Sequence, residues 1–207
     1  MNVCVKPTLP DANLLMREIT HRVINEFTAA VLLVSLAASR SGDRQVQSVL
    51  GNVQQHLEHC ARVHRALQMP DLGTSVDVAD YLLGLCHAIS RSKLDRQNIK
   101  IVMGAQPMVL TSERCWMLGM IVNELITNAA RHAFKGQGGT IRVELIENKS
   151  VAICNVSDNG RNSGEARPHG GLKIVKSLAE SLNGNFSQQF GAQGSVSIVT
   201  FPVHTND

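Results

Sequence analysis

Features that would place this protein in several other classes are scarce in its 207 residues. Aromatic residues make up 3% and the net charge is +3, which leaves few rings to stack on bases and little positive charge to hold nucleic acid. The longest nearly apolar run, Ala29–Ala38, is far shorter than the roughly 20 residues that a membrane span requires. The first residues, MNVCVKPTLPD, lack the apolar core of a secretory signal. We therefore expect neither nucleic-acid binding nor a membrane span.

The cysteines are also poorly arranged for cross-links. All five are far apart in the chain and form no CxxC pair, which favours reduced thiols in a cytoplasmic protein over a disulfide framework or a zinc site. Apolar residues make up 43% and charged residues 18%, which is typical of a globular protein. The length leaves room for one or two domains.

Two long helical patterns begin the sequence. The first starts at an N-cap, Asp11 or Asn13, and runs to about Arg40. The second runs from about Asp43 to Met69 and carries a heptad seam. A short turn between them predicts an antiparallel hairpin. Because one hairpin cannot cover apolar residues on both of its sides, we expect two copies to pair as a four-helix bundle in a homodimer.

His21 lies off the apolar stripe of the first helix and is expected to face solvent. Glu18 precedes it by three residues and Asn25 follows it by four, so all three share one helix face. An exposed imidazole nitrogen is a nucleophile near neutral pH, and a nearby carboxylate such as Glu18 can accept its other N–H. The alternative is an idle histidine on the surface.

The stretch Asn123–Phe134, NELITNAARHAF, reads as an amphipathic helix. The side chains that share its polar face are Glu124, Asn128, Arg131 and His132. The amide oxygen of Asn128 can ligate Mg²⁺, a hard cation that prefers oxygen ligands, and the guanidinium of Arg131 can pair with phosphate oxygens. The helix therefore fits a metal ion and a polyphosphate, or else only a solvated polar face.

Two later stretches join this helix in a recognisable order: Val156–Gly160, VSDNG, and His169–Val175, HGGLKIV. Together the three resemble the N, G1 and G2 boxes of sensor histidine kinases, within the GHKL (Bergerat-fold) ATPases. Glu18–Asn25, EITHRVIN, resembles the phospho-acceptor box of the subclass with an E-x-x-H-R-V-x-N pattern, and Gly194 with Ser195 resembles the final glycine box. The resemblance covers about residues 13–203.

The resemblance implies a site for ATP and Mg²⁺. Asp158 would accept the exocyclic amine of adenine, since an ionised carboxylate can only accept. Asn128 would hold Mg²⁺ on the triphosphate, and Glu124 would position or activate a reacting group. The other implied contacts are Gly160 at the base, Arg131 and His132 near the phosphates, and the glycines Gly170, Gly171 and Gly194.

The resemblance also predicts the domain plan. Residues 1–70 would form the dimerisation and histidine phosphotransfer hairpin, and residues 71–207 the ATP-binding domain. In the second part, helices alternate with strands that favour an antiparallel sheet, which predicts a two-layer α/β sandwich. The expected fold class is α+β, with the hairpin in a dimeric four-helix bundle followed by a Bergerat-type sandwich.

The implied function is that of a soluble, cytoplasmic, dimeric histidine kinase. ATP would phosphorylate His21, and the phosphoryl group would pass to an aspartate on a response-regulator receiver domain. Asn25 falls where related kinases place a side chain that aids dephosphorylation of the regulator. The sequence contains no sensor module, so we expect its input from an upstream sensor protein or from another site on the core.

Two departures from the family pattern keep other readings open. Asn162 stands where the G1 box has its second glycine, and the ATP lid, Arg161–His169, is short. A short lid leaves the phosphates wetter and less firmly held. This favours an alternative, a histidine phosphotransferase acting as a phosphorelay module with a degenerate domain that does not bind ATP. A third reading, an anti-sigma-type binding module, does not account for the acceptor-bearing hairpin.

Overall fold

The computed structural model describes residues 12–71, 73–134, 136–161 and 170–204. The chain divides into two compact units, Met1–Gln68 and Met69–Asp207. Both helices of the hairpin lie in the first unit, and all strands of the described residues lie in the second.

The first unit is a hairpin of two long helices, α1 (Ala12–Arg40) and α2 (Arg44–Ala66). Asp43 is the N-cap of α2, and its carboxylate accepts a hydrogen bond from the Gln45 N–H at 2.7 Å. This bond satisfies one of the first-turn N–H groups that have no partner within the helix. Because α1 already includes Ala12, Asn13 lies inside the helix and is not its N-cap, whereas Asp11 lies outside the described residues.

The hairpin leaves many apolar side chains exposed. The most exposed are Leu33 at 67%, Leu32 at 61% and Val49 at 56%. The rest of this set, called here the apolar surface of the hairpin, is Leu15, Met16, Ile19, Leu36, Val46 and Val53. By length and mean hydropathy alone, the segment Leu15–Arg40 of α1 could also cross a membrane. One such helix near the N-terminus is weak evidence, because helices of soluble proteins pass the same test.

The second unit is built on a five-stranded mixed sheet. In chain order its elements are β1 (Ser75–Asp77), α3 (Val78–Ile89), β2 (Ile99–Ala105), β3 (Val109–Thr111), α4 (Ser112–His132), β4 (Gly139–Asn148), β5 (Val151–Asp158), α5 (Gly170–Ser181), β6 (Asn185–Gly191) and β7 (Gly194–Pro202). The strand order is β2-β4-β5-β7-β6, with β2 parallel to β4 and the other neighbours antiparallel. β1 and β3 form a separate antiparallel pair.

A tight turn forms the central hairpin, and a side-chain cap begins α3. A two-residue turn joins β4 to β5, and Lys149 and Ser150 have φ angles of 51° and 64° there. Positive φ at both positions gives a turn whose twist matches that of the strands. Asp77 caps α3 by accepting a hydrogen bond from the Asp80 N–H at 3.1 Å.

Alternate residues of β5 face the core, and this pattern orients the last side chain of the strand, that of Asp158. Ala152, Cys154 and Val156 are all buried, and Asp158, the next residue in this series of alternate positions, is only 8% exposed. Residues two apart in a strand share a face, so the carboxylate lies on the buried face at the end of the strand. The predicted order of a helical hairpin followed by an α/β sandwich is confirmed.

Candidate functional site

The Asp158 carboxylate is held from two directions. One oxygen, Oδ1, accepts a hydrogen bond from the Gly160 N–H at 2.9 Å, and Oδ2 accepts one from the Ser195 hydroxyl at 2.5 Å. The last pair of the β5–β7 ladder is Ser157 with Val196, so Asp158 and Ser195 face each other at the next position. The carboxylate is therefore fixed in orientation, and each oxygen keeps a lone pair for a donor on a ligand.

Two glycines let the main chain pass close to this carboxylate. A Cβ on Gly160 would lie 2.3 Å from the carbonyl oxygen of Ala133, just beyond the end of α4. A Cβ on Gly194 would lie 1.8 Å from the carbonyl oxygen of Asp158, and the φ of Gly194 is +126°, a conformation that other residues rarely adopt. Asp158 thus lies where α4, β5 and β7 meet.

The polar face of α4 runs from a half-buried end to an exposed end. Glu124 and Asn128 are half-buried, whereas Arg131 and His132 are exposed in the last turn. Cationic side chains in a last turn also interact favourably with the helix dipole. The structure thus places an acid and an amide nearer to the core and two basic groups at the rim.

Glu124 reaches the beginning of α5. A Cβ on Gly171 would lie 1.7 Å from Oε1 of Glu124, so any larger residue there would displace the Glu124 carboxylate. Gly170 is the first residue of α5. A helix N-terminus attracts negative charge, such as a carboxylate or a phosphate. Asn162 and the rest of the predicted lid through His169 lie outside the described residues.

His21 is exposed on α1, as is Asn25 one turn later. Glu18 does not pair with His21: its carboxylate accepts a hydrogen bond from Nε of Arg22 at 2.9 Å. Both partners of that ion pair are largely exposed, so it contributes little to stability. Within the described part of the chain, the His21 ring has no hydrogen-bond partner, and the residue is exposed.

The other histidine with a clear environment is structural. The ring of His64 packs on Phe27 with 5.3 Å between centroids, and burial lowers the pKa of His64. Among the described residues, no group of three or more His, Cys, Asp or Glu side chains could hold a metal ion. The amide oxygen of Asn128, together with phosphate oxygens and waters, is a ligand type that Mg²⁺ accepts.

The sequence interpretation assigned no role to two side chains of this site, those of Ser195 and Asn159. Ser195 followed a glycine already singled out, but a hydroxyl partner for Asp158 could be found only by pairing two strands. Asn159 bonds to the start of β4, where the Thr140 N–H donates to its Oδ1 at 2.7 Å. The available signal for Ser195 was its place directly after Gly194 in the final glycine box, and that for Asn159 was an asparagine in a turn.

Two family models match the chain. One, described as "Histidine kinase", matches residues 18–93 and includes His21. The other, described as "Histidine kinase-, DNA gyrase B-, and HSP90-like ATPase", matches residues 117–205 and includes α4, Asp158 and the last glycine box. The predicted fold class, a helical hairpin with a GHKL-type domain, is thereby confirmed.

Among curated proteins, the chain is similar to the sensor histidine kinase PdtaS of Mycolicibacterium smegmatis, at 28% identity over 194 residues. It is also 22% identical over 200 residues to blue-light-activated histidine kinase 2 of Erythrobacter litoralis. The matches cover 89% and 91% of this chain. They span only 38% and 57% of those two relatives.

Solved structures share the fold. The histidine kinase domain of an Erythrobacter litoralis blue-light-activated kinase gives a TM-score of 0.59 at 17% identity, covering 85% of this chain and 96% of that one. A bacterial phosphotransferase gives a TM-score of 0.60 at 13% identity, covering 93% of this chain and 98% of that one. At these identities the likeness concerns the fold alone.

Proposed function

This chain belongs to the histidine kinase family, and from that premise we propose that it is a kinase core that uses ATP to phosphorylate His21. The phosphoryl group would then pass to an aspartate on a response-regulator receiver domain. The observation that carries the proposal is the buried Asp158 carboxylate, bonded by Gly160 and Ser195 at the position predicted for adenine recognition. The exposed ring of His21 supplies the acceptor.

The donors and acceptors of the site fit a nucleotide. A buried carboxylate with free lone pairs can accept the exocyclic amine of adenine, which distinguishes ATP from GTP. The half-buried amide of Asn128 offers an oxygen to Mg²⁺, which would neutralise part of the triphosphate charge when bound. Arg131 and His132, on the exposed rim, would meet the phosphates, and the N-terminus of α5 would favour their negative charge.

The chemical step is an in-line displacement at the γ-phosphorus. One ring nitrogen of His21 forms the new N–P bond as the bond to the β–γ bridging oxygen breaks, and ADP leaves with that oxygen. The proton on the other ring nitrogen can leave to water, because the ring is exposed. Positioning and charge neutralisation by the nucleotide site would supply most of the rate enhancement.

The apolar surface of the hairpin supports a homodimer. Side chains such as Leu32 and Leu33, both more than half exposed, would be covered by a second hairpin in a four-helix bundle. We expect Leu33→Glu to convert a dimer into a monomer in size-exclusion chromatography with light scattering. Ser48→Glu, at an exposed polar position of α2, is the matched control and should stay dimeric. A monomeric wild-type protein would contradict this part of the proposal.

A second candidate function is a histidine phosphotransferase that does not bind ATP. It is favoured by Asn162 in place of a glycine in the G1 box. Such a module would keep His21 and receive its phosphoryl group from a phosphorylated receiver domain. A cytoplasmic location and an upstream sensor protein that supplies the input remain predictions under either function.

One experiment separates the two functions. The full chain is incubated with γ-labelled ATP and Mg²⁺, and label that is stable in alkali but labile in acid marks a phosphohistidine. His21→Ala and Asp158→Asn should both abolish the label, whereas His56→Ala, at another exposed histidine of the hairpin, should keep it. No label with ATP, but labelling of His21 from a phosphorylated receiver domain, would overturn the kinase and support the phosphotransferase.

A further inference from the structure

Asn159, between Asp158 and Gly160, has a bonding pattern of its own. The β4–β5 ladder ends at the pair Ile141 and Asp158, so Thr140 and Asn159 face each other at the next position. The Asn159 N–H donates to the Thr140 carbonyl at 3.2 Å. The Thr140 N–H, however, donates to the side-chain Oδ1 of Asn159 at 2.7 Å, whereas a regular ladder would use a main-chain carbonyl.

Because the Asn159 side chain, and not its main-chain carbonyl, accepts the hydrogen bond from the Thr140 N–H, β5 can end abruptly at Asp158. Because Oδ1 of Asn159 satisfies the Thr140 N–H, the carbonyl of Asn159 need not stay beside β4. The chain can therefore turn directly after Asp158, and the turn brings the Gly160 N–H to 2.9 Å from Oδ1 of Asp158. A main-chain bond at the same position would continue the strand and carry this N–H away from the carboxylate.

Neighbouring residues of β4 and α4 pack closely against the turn that follows Asp158. A Cβ on Gly139 would lie 2.7 Å from Oδ1 of Asn159, and a Cβ on Gly160 would lie 2.3 Å from the carbonyl oxygen of Ala133. The turn is thus confined between the start of β4 and the end of α4. The Asn159 side chain is itself exposed, so its removal opens no cavity in the core and leaves the surrounding packing in place.

We propose that Asn159 is a positioning residue for Asp158: its hydrogen bond from the Thr140 N–H holds the turn that orients the Asp158 carboxylate towards the base of a nucleotide. The inference rests on the proposed nucleotide site. It concerns, however, a contact within the chain, which can be measured with no nucleotide present. Asn159→Ala removes the acceptor, and Asn159→Asp retains an acceptor oxygen at the same place.

The test uses the full chain and two kinds of measurement. Amide hydrogen exchange by NMR, without nucleotide, follows the N–H groups of Thr140 and Gly160. In Asn159→Ala the Thr140 N–H loses its acceptor, and the Gly160 N–H moves away from Asp158 as the turn loosens. Both should therefore exchange at least roughly tenfold faster, which is about the factor that one such hydrogen bond is worth. In Asn159→Asp both should stay within about twofold of wild type. Asn185→Ala, at an exposed asparagine of β6, is the matched control and should change neither amide.

Nucleotide binding is measured with ADP and Mg²⁺ at about 0.3 M salt, which screens the charge added by Asn159→Asp. Asn159→Ala should weaken binding by roughly five- to tenfold, and Asn159→Asp should recover most of that loss. In the phosphorylation assay, Asn159→Ala should raise KM for ATP and leave kcat nearly unchanged. A merely structural role would lower the active fraction, and hence kcat, at constant KM.

The outcomes are distinct. If the wild type binds nucleotide and Asn159→Ala binds it equally well, or if the Gly160 amide stays protected in that variant, the positioning role is overturned alone. If Asn159→Asp restores neither exchange nor binding, the acceptor oxygen is not the cause and the inference is also overturned. If the wild type binds no nucleotide, the proposed function fails and the positioning role fails with it, whatever the exchange data show.

Discussion

Replacing Ser195 with alanine removes one of the two hydrogen bonds that hold the Asp158 carboxylate. Both residues are only 8% exposed, so water cannot easily take the place of the lost hydroxyl. A hydrogen bond to a charged group contributes about 1.5–3 kcal/mol. We therefore expect the free energy of unfolding of the second unit to fall by about 2 kcal/mol. Nucleotide binding should weaken about fivefold, because the carboxylate must be immobilised on binding.

Stability can be followed in the full chain by denaturant unfolding. The single tryptophan, Trp116, lies on α4 and reports on the second unit by fluorescence. Ser195→Thr keeps the hydroxyl and should retain most of the stability and the affinity. Combining Ser195→Ala with Asp158→Asn tests the pair directly, since the two losses should not add when the charge is absent. An unfolding free energy of Ser195→Ala within about 0.5 kcal/mol of wild type would refute the reasoning.

Two further predictions concern glycines and a buried thiol. Gly194→Ala should cost about 3–5 kcal/mol, because its Cβ meets the main chain of Asp158 at a positive φ. Gly171→Ala should lower the free energy of unfolding by only about 1 kcal/mol or less, since the Glu124 side chain can swing aside. Phosphorylation should nevertheless slow roughly tenfold or more, because that carboxylate moves. Equal unfolding midpoints of Gly194→Ala and Gly171→Ala would contradict the predicted difference in stability. Burial raises the pKa of the Cys154 thiol from 9.0 to about 12. The unfolded chain then ionises first, so the free energy of unfolding should fall by up to about 1.4 kcal/mol per pH unit between these values. Unfolding measured from pH 8.5 to 10.5 should show a smaller slope in Cys154→Val, and equal slopes would contradict the assignment.

The elements themselves were largely predictable from local patterns. The hairpin helices follow from apolar residues at helical spacing, and the two-residue turn after Asn148 follows from the strands that flank it. Of the two expected caps, Asp11 or Asn13, the second was wrong, because a helix already under way at Ala12 places Asn13 inside its first turn; Asp11 lies outside the described residues. Helix ends depend on bonds of single residues and are therefore harder to predict than helix interiors.

The partners of charged side chains were less predictable. Glu18 is three residues from His21 and four from Arg22, so helical spacing alone allowed both neighbours. A guanidinium offers a charged donor to a carboxylate, and the structure pairs Glu18 with Arg22 at 2.9 Å. Because Glu18 pairs with Arg22, it does not cover the His21 ring, which stays exposed as an acceptor of a phosphoryl group requires.

By itself, the sequence determined most of the helices and strands and the order of a helical hairpin followed by an α/β sandwich, and it predicted which residue types could bind a nucleotide. These properties depend on the spacing of apolar residues and motifs along the chain, which is visible in the sequence alone. Only the tertiary structure decided that Ser195 bonds to Asp158, that Thr140 bonds to Asn159, and that Gly160 lies against the end of α4. These contacts join distant parts of the chain, and they exist only because particular strands pair in one register and one helix packs across their ends.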